Sequence, residues 1–147
     1  MSLTLTADVE LALTAMNRAI AHIENKAPVV NEMAAYAMET VLDNFSGQHD
    51  PDGKPWEALS PSSLVRKGHS GTLGNGILVD SGKMIGSFKM DKSAYGFSLD
   101  NTTPYAPIHQ HGFAAANIPA RPFMGFGKAD EAWLHAIMTA WLTRGLS

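Results

Sequence analysis

Two stretches of regularly spaced apolar residues predict that the chain begins with helical structure over residues 6–45. In the first stretch, apolar side chains recur at steps of four and three, which places them on one face of a helix. These residues are Val9, Leu13, Met16, Ile20 and Ile23. Thr6 is a suitable N-cap, and Glu10 follows where the helix dipole favours an acidic group. We interpret the stripe as a core or helix–helix contact, with a coiled-coil-like contact to another subunit as the alternative.

Pro28 divides this helical region into two helices. A proline inside a helix removes a hydrogen-bond donor and clashes with the preceding turn, so we expect a break near Lys26 and Ala27. A second helix can begin there because proline is well tolerated in a first turn. Its apolar stripe predicts a buried face made of Val30, Met33, Ala37, Val41 and Phe45.

The end of the chain predicts another long helix. Asp130 and Glu131 lie in its first turn, Arg144 lies in its last turn, and Gly145 is placed as a stop. Its apolar ridge is formed by Trp133, Ile137 and Trp141. Tryptophans on one helical face are typical of a core, and anchoring a partner is the alternative, because tryptophan is enriched at interface hot spots.

Shorter elements are predicted between these helices. Ser60 followed by Pro61 is typical of an N-cap and a first helical position, so a short helix reaches about Lys67. Residues 68–76 are rich in glycine and too poor in apolar side chains to offset their ordering entropy, which predicts a mobile loop. Residues 87–99 predict a hairpin with its turn at residues 91–94.

These elements predict an α+β fold. A long N-terminal helical region and a C-terminal helix pack on a small antiparallel sheet, in a single domain that spans residues 1–147. Two further features lie on the sheet side of the chain. Residues 105–112 read as a short helix that Gly112 ends, and residues 121–126 as an extended edge segment, because proline is excluded from a central strand.

Composition and charge narrow the possible functions. The 147 residues are 45% hydrophobic, which is enough for a core, and 11 basic against 14 acidic residues give a net charge of −3. No basic block is present, which disfavours nucleic-acid binding as the main role. The lack of cysteine excludes disulfide scaffolds, thiol catalysis and cysteine-type zinc sites. We expect neither a signal peptide nor a membrane span.

Candidate catalytic chemistry is weak in this chain. His109 and His111 are spaced to share a metal on a strand, but they diverge on a helix. Further ligands would have to come from His49, His69 or Asp80, without supporting spacing. The simpler interpretation is that one imidazole bonds a backbone carbonyl while the other is exposed.

A serine nucleophile is equally weakly indicated. Ser81 and Ser87 could be arranged with a histidine, but Asp80-Ser81-Gly82 lacks the first glycine of a nucleophile elbow. Arg121 between Ala120 and Pro122 is held in a rigid segment. It could pair with a carboxylate either within the chain or across an interface.

Four short motifs, each a backbone turn beside a large apolar anchor, follow one another along the chain. They are Pro-x-Gly-x-x-Trp-x-x-Leu at residues 51–59, Leu-x-Asp-Ser-Gly at 78–82, Tyr-Ala-x-x-His-x-x-Gly at 105–112 and Pro-Ala-Arg-Pro-Phe at 119–123. In content and order they resemble the phage virion morphogenesis family, the Mu G-like tail completion proteins. The resemblance covers nearly the whole chain.

The resemblance points to ten residues as determinants of the fold or of subunit contacts. They are Trp56, Leu59, Asp80, Gly82, Tyr105, His109, Gly112, Arg121, Pro122 and Phe123. The family assigns no active site, so no catalytic residue, metal or other cofactor is implied.

The role implied by the resemblance is structural. Such a protein would act at the head-proximal end of a phage or prophage tail, completing the tail so that the head can join. A tail terminator or a minor capsid-assembly factor is the alternative, and a metal-dependent or serine hydrolase is a remote one.

The implied partners are other neck and tail proteins and further copies of the chain. The copies could form a hexameric ring, or a monomer could assemble only on a template. Assembly would take place in the bacterial cytoplasm, with the protein ending in the virion.

Overall fold

The computed structural model describes residues 9–146, which form helices and a two-stranded antiparallel sheet. The α+β prediction is therefore confirmed. The α-helices are α1 (Val9–Glu24), α2 (Ala27–Gly47), α3 (Pro61–His69), α4 (Ala106–His111) and α5 (Lys128–Arg144). The strands are β1 (Phe88–Lys92) and β2 (Phe97–Asn101), and short 3-10 helices span Ile85–Ser87 and Ala114–Ala116.

The break at Pro28 is confirmed. Helix α1 ends at Glu24, and α2 begins at Ala27 with Pro28 in its first turn. The proline lacks only a donor that a first turn leaves unpaired in any case, so it starts a helix without cost. Thr6, the expected N-cap of α1, lies outside the described residues.

The apolar stripe of α2 is the main wall of the core. Four of its five predicted residues, Val30, Ala37, Val41 and Phe45, are buried, and Met33 is half-buried. Helix α2 contacts both strands of the hairpin and also α5. The predicted packing of the helices on a small sheet therefore holds for α2.

Aromatic rings fill the centre of the core. Phe45 lies at the middle, with ring centroids 5.2 Å from Phe123, 5.8 Å from Trp56 and 6.0 Å from Phe88. Most of these contacts are edge-on or tilted, the arrangements that the ring quadrupoles favour. Phe123 has only 1% of its surface exposed, so the last of the four motifs, which lies in neither strand, supplies the most enclosed aromatic ring.

The stripe of α1 is not part of the core. Its five residues are between 43% and 60% exposed, and no residue of α1 is buried. The interpretation of this stripe as an intramolecular core contact is therefore wrong. His22 ties α1 to α5, because its Nε2 lies 2.6 Å from the carbonyl oxygen of Trp141 and its ring stacks on the Trp141 indole.

Helix α5 is anchored by aromatic and polar contacts to the N-terminal helices. Trp133 stacks on Tyr36 of α2 at 3.8 Å, and the Tyr36 hydroxyl donates to Asp130 at 2.7 Å. Asp130 also accepts from the backbone N–H of Gly127, which caps the helix. Trp133 and Trp141 therefore contact the chain's own helices, as the core interpretation predicts.

Two local expectations differ from the structure. Asp91 and Lys92 still pair with Ser98 and Phe97, so the hairpin turn lies at residues 93–96 and not at 91–94. Residues 121–126 belong to neither of the described strands. They are therefore not an edge strand, and side chains take over the hydrogen bonds that a sheet would provide.

Residues 68 and 69 belong to the end of α3, and residues 70–76 form a series of turns. Thr72 donates to the Asp80 carboxylate, and the Asn75 side chain donates to the Asp80 carbonyl at 2.8 Å. Asp80 thus organises the end of this loop. The mobility of the loop stays a prediction.

The burial of Phe123 predicts a large stability effect. Replacing Phe123 by alanine leaves a cavity at the centre of the aromatic cluster and should lower the free energy of unfolding by about 3–5 kcal/mol. The matched control is Phe126→Ala, which removes a ring that is 40% exposed and should cost less than about 1 kcal/mol. Urea unfolding followed by tryptophan fluorescence measures both. Equal losses for the two variants would contradict the central position of Phe123.

Candidate partner-binding groove

Residues 121–124, which we call the anchored segment, are held by side chains from three other parts of the chain. The Asn44 amide of α2 donates to the Phe123 carbonyl at 3.1 Å, and the Trp56 indole N–H donates to the Pro122 carbonyl at 2.8 Å. A buried backbone group without a partner is costly. These side chains therefore allow the segment to run through the interior without being a strand.

Gln110 of α4 completes this arrangement. Its Oε1 accepts from the N–H groups of both Phe123 and Met124 at 3.0 Å, and its Nε2 donates to the Met124 carbonyl at 2.7 Å. One amide side chain thus replaces three bonds that a neighbouring strand would make. The backbone of Arg121 also donates to the carbonyl of His109 at 2.7 Å, which fastens the segment to the same short helix.

The side chain of Arg121 ties the anchored segment to the Trp56 loop. Its Nε donates to the Glu57 carbonyl at 2.8 Å and its Nη2 donates to the Ala58 carbonyl at 3.0 Å. The expected pairing of Arg121 with a carboxylate within the chain is wrong, because the bonded acceptors are carbonyl groups. Pairing across an interface stays a prediction. Burial lowers the pKa of Arg121, and the nearby Glu57 carboxylate partly opposes that shift.

Gly112 turns the chain sharply after α4. Its φ of +78° lies in the region that favours glycine, and an added Cβ would lie 2.8 Å from the backbone nitrogen of Ala120. The backbone of residues 118–120 therefore passes directly against Gly112. This close approach gives the motif glycine a physical role in placing the anchored segment.

A groove of 950 Å³ lies beside this scaffold. Six of the ten residues singled out by the sequence motifs line it: Leu59, Asp80, Gly82, Tyr105, His109 and Arg121. Trp56, Gly112, Pro122 and Phe123 do not line it and belong to the supporting structure. The motifs are far apart in sequence, and the fold brings them together: some of their residues line the groove, and the others hold those residues in place.

Lys67 fixes the turn that closes another side of the groove. Its ammonium group is buried and donates to the carbonyls of Gly76 at 3.1 Å and Val79 at 2.7 Å. The loop entering Asp80 and Gly82 is thereby held against α3. Sequence analysis missed Lys67, as it missed Asn44 and Gln110, because a single polar residue on a helix does not reveal which distant carbonyl it meets.

His109 occupies a half-buried position in the groove wall. Its Nδ1 is buried and makes no hydrogen bond to any described residue, and its ring contacts Tyr105 edge-on. Burial, and then the positive charges of Arg121 and Arg66, lower the pKa of His109. His111 is exposed, and neither imidazole bonds a backbone carbonyl among residues 9–146, so the expected imidazole–carbonyl bond is absent.

Ser81 and Ser87, the serines considered for a nucleophile, both bond to the backbone of Lys83. Ser81 accepts from the Lys83 N–H, and Ser87 donates to the Lys83 carbonyl, so neither hydroxyl is paired with a histidine. Residues 9–146 contain no group of three or more histidine, aspartate or glutamate side chains that could hold a metal ion. Within the same range, no helix has the length and apolarity needed to cross a membrane.

Comparisons with known proteins give the class of this fold and groove. Residues 7–143 match the Phage virion morphogenesis family, and the chain belongs to that family. The chain is also 35% identical to the "Putative capsid assembly protein G" of Escherichia phage Mu over 106 residues, which is 67% of this chain and 68% of that protein. No solved structure is significantly similar to the chain.

The lowered pKa of His109 predicts a pH-dependent stability. Because the folded pKa lies below the unfolded value near 6.5, the unfolded state binds the proton more readily. This contribution to stability is complete above about pH 6.5 and is lost as the pH falls through the folded pKa.

Urea unfolding at a series of pH values between about 7.5 and 5 measures this effect. The decline in the free energy of unfolding should be smaller in His109→Gln than in the wild type. His111→Gln, which changes an exposed imidazole on the same helix, should decline like the wild type. An unchanged decline in His109→Gln would contradict the assignment.

Proposed function

We propose that the chain is a structural assembly protein that acts at the head-proximal end of a phage tail, where it completes the tail and allows the head to join. The observation that carries the proposal is the family match over residues 7–143, whose span includes every residue of the groove. The protein assembles in the bacterial cytoplasm and remains in the neck or tail of the virion. It binds other neck and tail proteins and works without catalysis.

A second candidate is a minor capsid-assembly factor or a tail terminator. The capsid-assembly role is favoured by the name of the phage Mu relative. The candidates differ in the particle that is left incomplete when the protein is missing, so the morphology of those particles separates them.

Deleting the gene from its phage or prophage tests these roles. Electron microscopy of the lysate should show finished heads beside unjoined tails of normal length. Tails of excess length would indicate a terminator instead, and defective heads would indicate a capsid-assembly factor. Intact infectious virions would contradict all three assembly roles. Restoring the wild-type gene from a plasmid is the control for effects on neighbouring genes.

The surface that we assign to contacts between copies is the exposed stripe of α1. Its residues follow the 4-3-4-3 spacing of a coiled-coil seam along a helix about 24 Å long. Contiguous apolar surface of this kind marks an interaction site. A heptad seam packs best against another heptad seam. Among the described residues, α1 carries an exposed seam of this kind. We therefore assign α1 of a second copy as the helix that packs against it. Helices gathered around a common axis are compatible with a six-copy ring on a six-fold tail.

Charge introduced into the stripe should prevent this association. Leu13→Glu combined with Ile20→Glu places carboxylates in the seam and should reduce the particle mass in solution to the 15.8 kDa of one chain. Leu11→Glu is the control, because Leu11 is 75% exposed on the opposite face of α1, and it should retain the mass of the wild type. Size-exclusion chromatography with light scattering measures the mass. A wild type that stays monomeric at every concentration would contradict the assignment.

A further inference from the structure

The groove carries a charge opposite to that of the whole molecule. Four basic side chains and two acidic ones line it, although the chain as a whole has a net charge of −3. The basic residues are Arg66, Lys67, Lys83 and Arg121, and the acidic ones are Glu57 and Asp80. Acidic residues in excess therefore lie elsewhere on the surface, and the groove is a local positive region.

Only part of this positive charge is available to a partner. Lys67 and Arg121 are buried, and both are committed to backbone carbonyls. Arg66 and Lys83 are exposed, and neither forms an ion pair with any residue in the described range. Their charged ends are thus free to meet carboxylates at the rim.

The floor of the groove is apolar. Leu78 and Met84 are buried members of the core cluster that reach the groove, and Ile118 is half-buried beside them. The Tyr105 ring, 37% exposed, adds an aromatic surface. A volume of 950 Å³ lies at the upper end of the range for ligand sites, so it can receive several side chains.

We propose that the groove binds an extended acidic segment of another virion protein. An apolar side chain of that segment lies on the floor, and its carboxylates pair with Arg66 and Lys83. This inference rests on the proposed assembly function and adds the chemistry of the partner. The complementary charges favour the correct partner and speed encounter, while the apolar floor contributes area removed from water.

An acidic protein segment fits the groove better than a nucleic acid. Tight binding to nucleic acid depends on neutralising many phosphates, and the groove offers two free cations on an acidic protein. Arg121 has only 5% of its surface exposed, so the phosphates of a duplex cannot reach its guanidinium group. A peptide chain can enter the groove with one apolar side chain and still place carboxylates at the rim.

Charge reversal tests the proposal in the complete phage. Arg66→Glu combined with Lys83→Glu should lower the infectious titre at least about tenfold when it replaces the wild-type gene. The control is Lys54→Glu combined with Lys89→Glu, which makes the same change in net charge at exposed lysines outside the groove. The control should complement like the wild type. Circular dichroism verifies that both double variants are folded.

A direct binding measurement uses three fluorescein-labelled probes. They are an acetylated octapeptide of alternating leucine and glutamate, its leucine–glutamine counterpart, and a short DNA duplex. Fluorescence anisotropy should show that the wild-type protein binds the acidic peptide at least about tenfold more tightly than the glutamine peptide, and that charge reversal removes the difference. Equal binding of the two peptides, or tighter binding of DNA, would overturn the proposal.

The two experiments separate this inference from the proposed function. Full complementation by the charge-reversed groove, in a phage that the deletion disables, would refute the groove's role and leave the assembly function intact. Infectious virions after complete deletion would refute the assembly function, while the peptide measurement would still decide whether the groove recognises acidic segments.

Discussion

The fold depends on side chains that form hydrogen bonds with the backbone of a buried segment, because that segment has no neighbouring strand to pair with. Residues 121–124 pass through the interior, where unpaired N–H and C=O groups are costly. Asn44, Trp56 and Gln110 supply the missing partners from a helix, a loop and another helix. Because those three side chains come from distant parts of the chain, the same bonds that satisfy the segment also fix the relative positions of α2, α4 and the Trp56 loop.

The groove is a consequence of that arrangement. Arg121 of the anchored segment holds the backbone of residues 57 and 58, while Phe123 of the same segment fills the core. Two side chains of one short segment thus shape the groove wall and the core. This explains why the motif residues divide into a set that lines the groove and a set that supports it. A change in the core would be felt in the groove, since both meet at one backbone.

Sequence patterns predicted the elements whose signals are local. The 3- and 4-residue spacing located α1, α2 and α5, Pro28 located the break, and Gly112 located the end of α4.

Contacts between residues that are distant in the sequence could not be predicted. Periodicity identifies the apolar face of α1 but does not tell what covers it. The partners of Asn44 and Trp56 lie 79 and 66 residues away. The motif order indicated that residues 51–59, 78–82, 105–112 and 119–123 matter, but not that six of the ten residues singled out from them line one groove.

The exposure of the α1 stripe has a consequence for the timing of assembly. A free subunit keeps this apolar surface in water, and the proposed contact with other copies would remove it, so that association would be governed by mass action. Separate subunits would then prevail at low concentration, and assembled copies as synthesis proceeds. The proposed contact would thus tie the start of assembly to the amount of protein made, because association begins once enough subunits have accumulated.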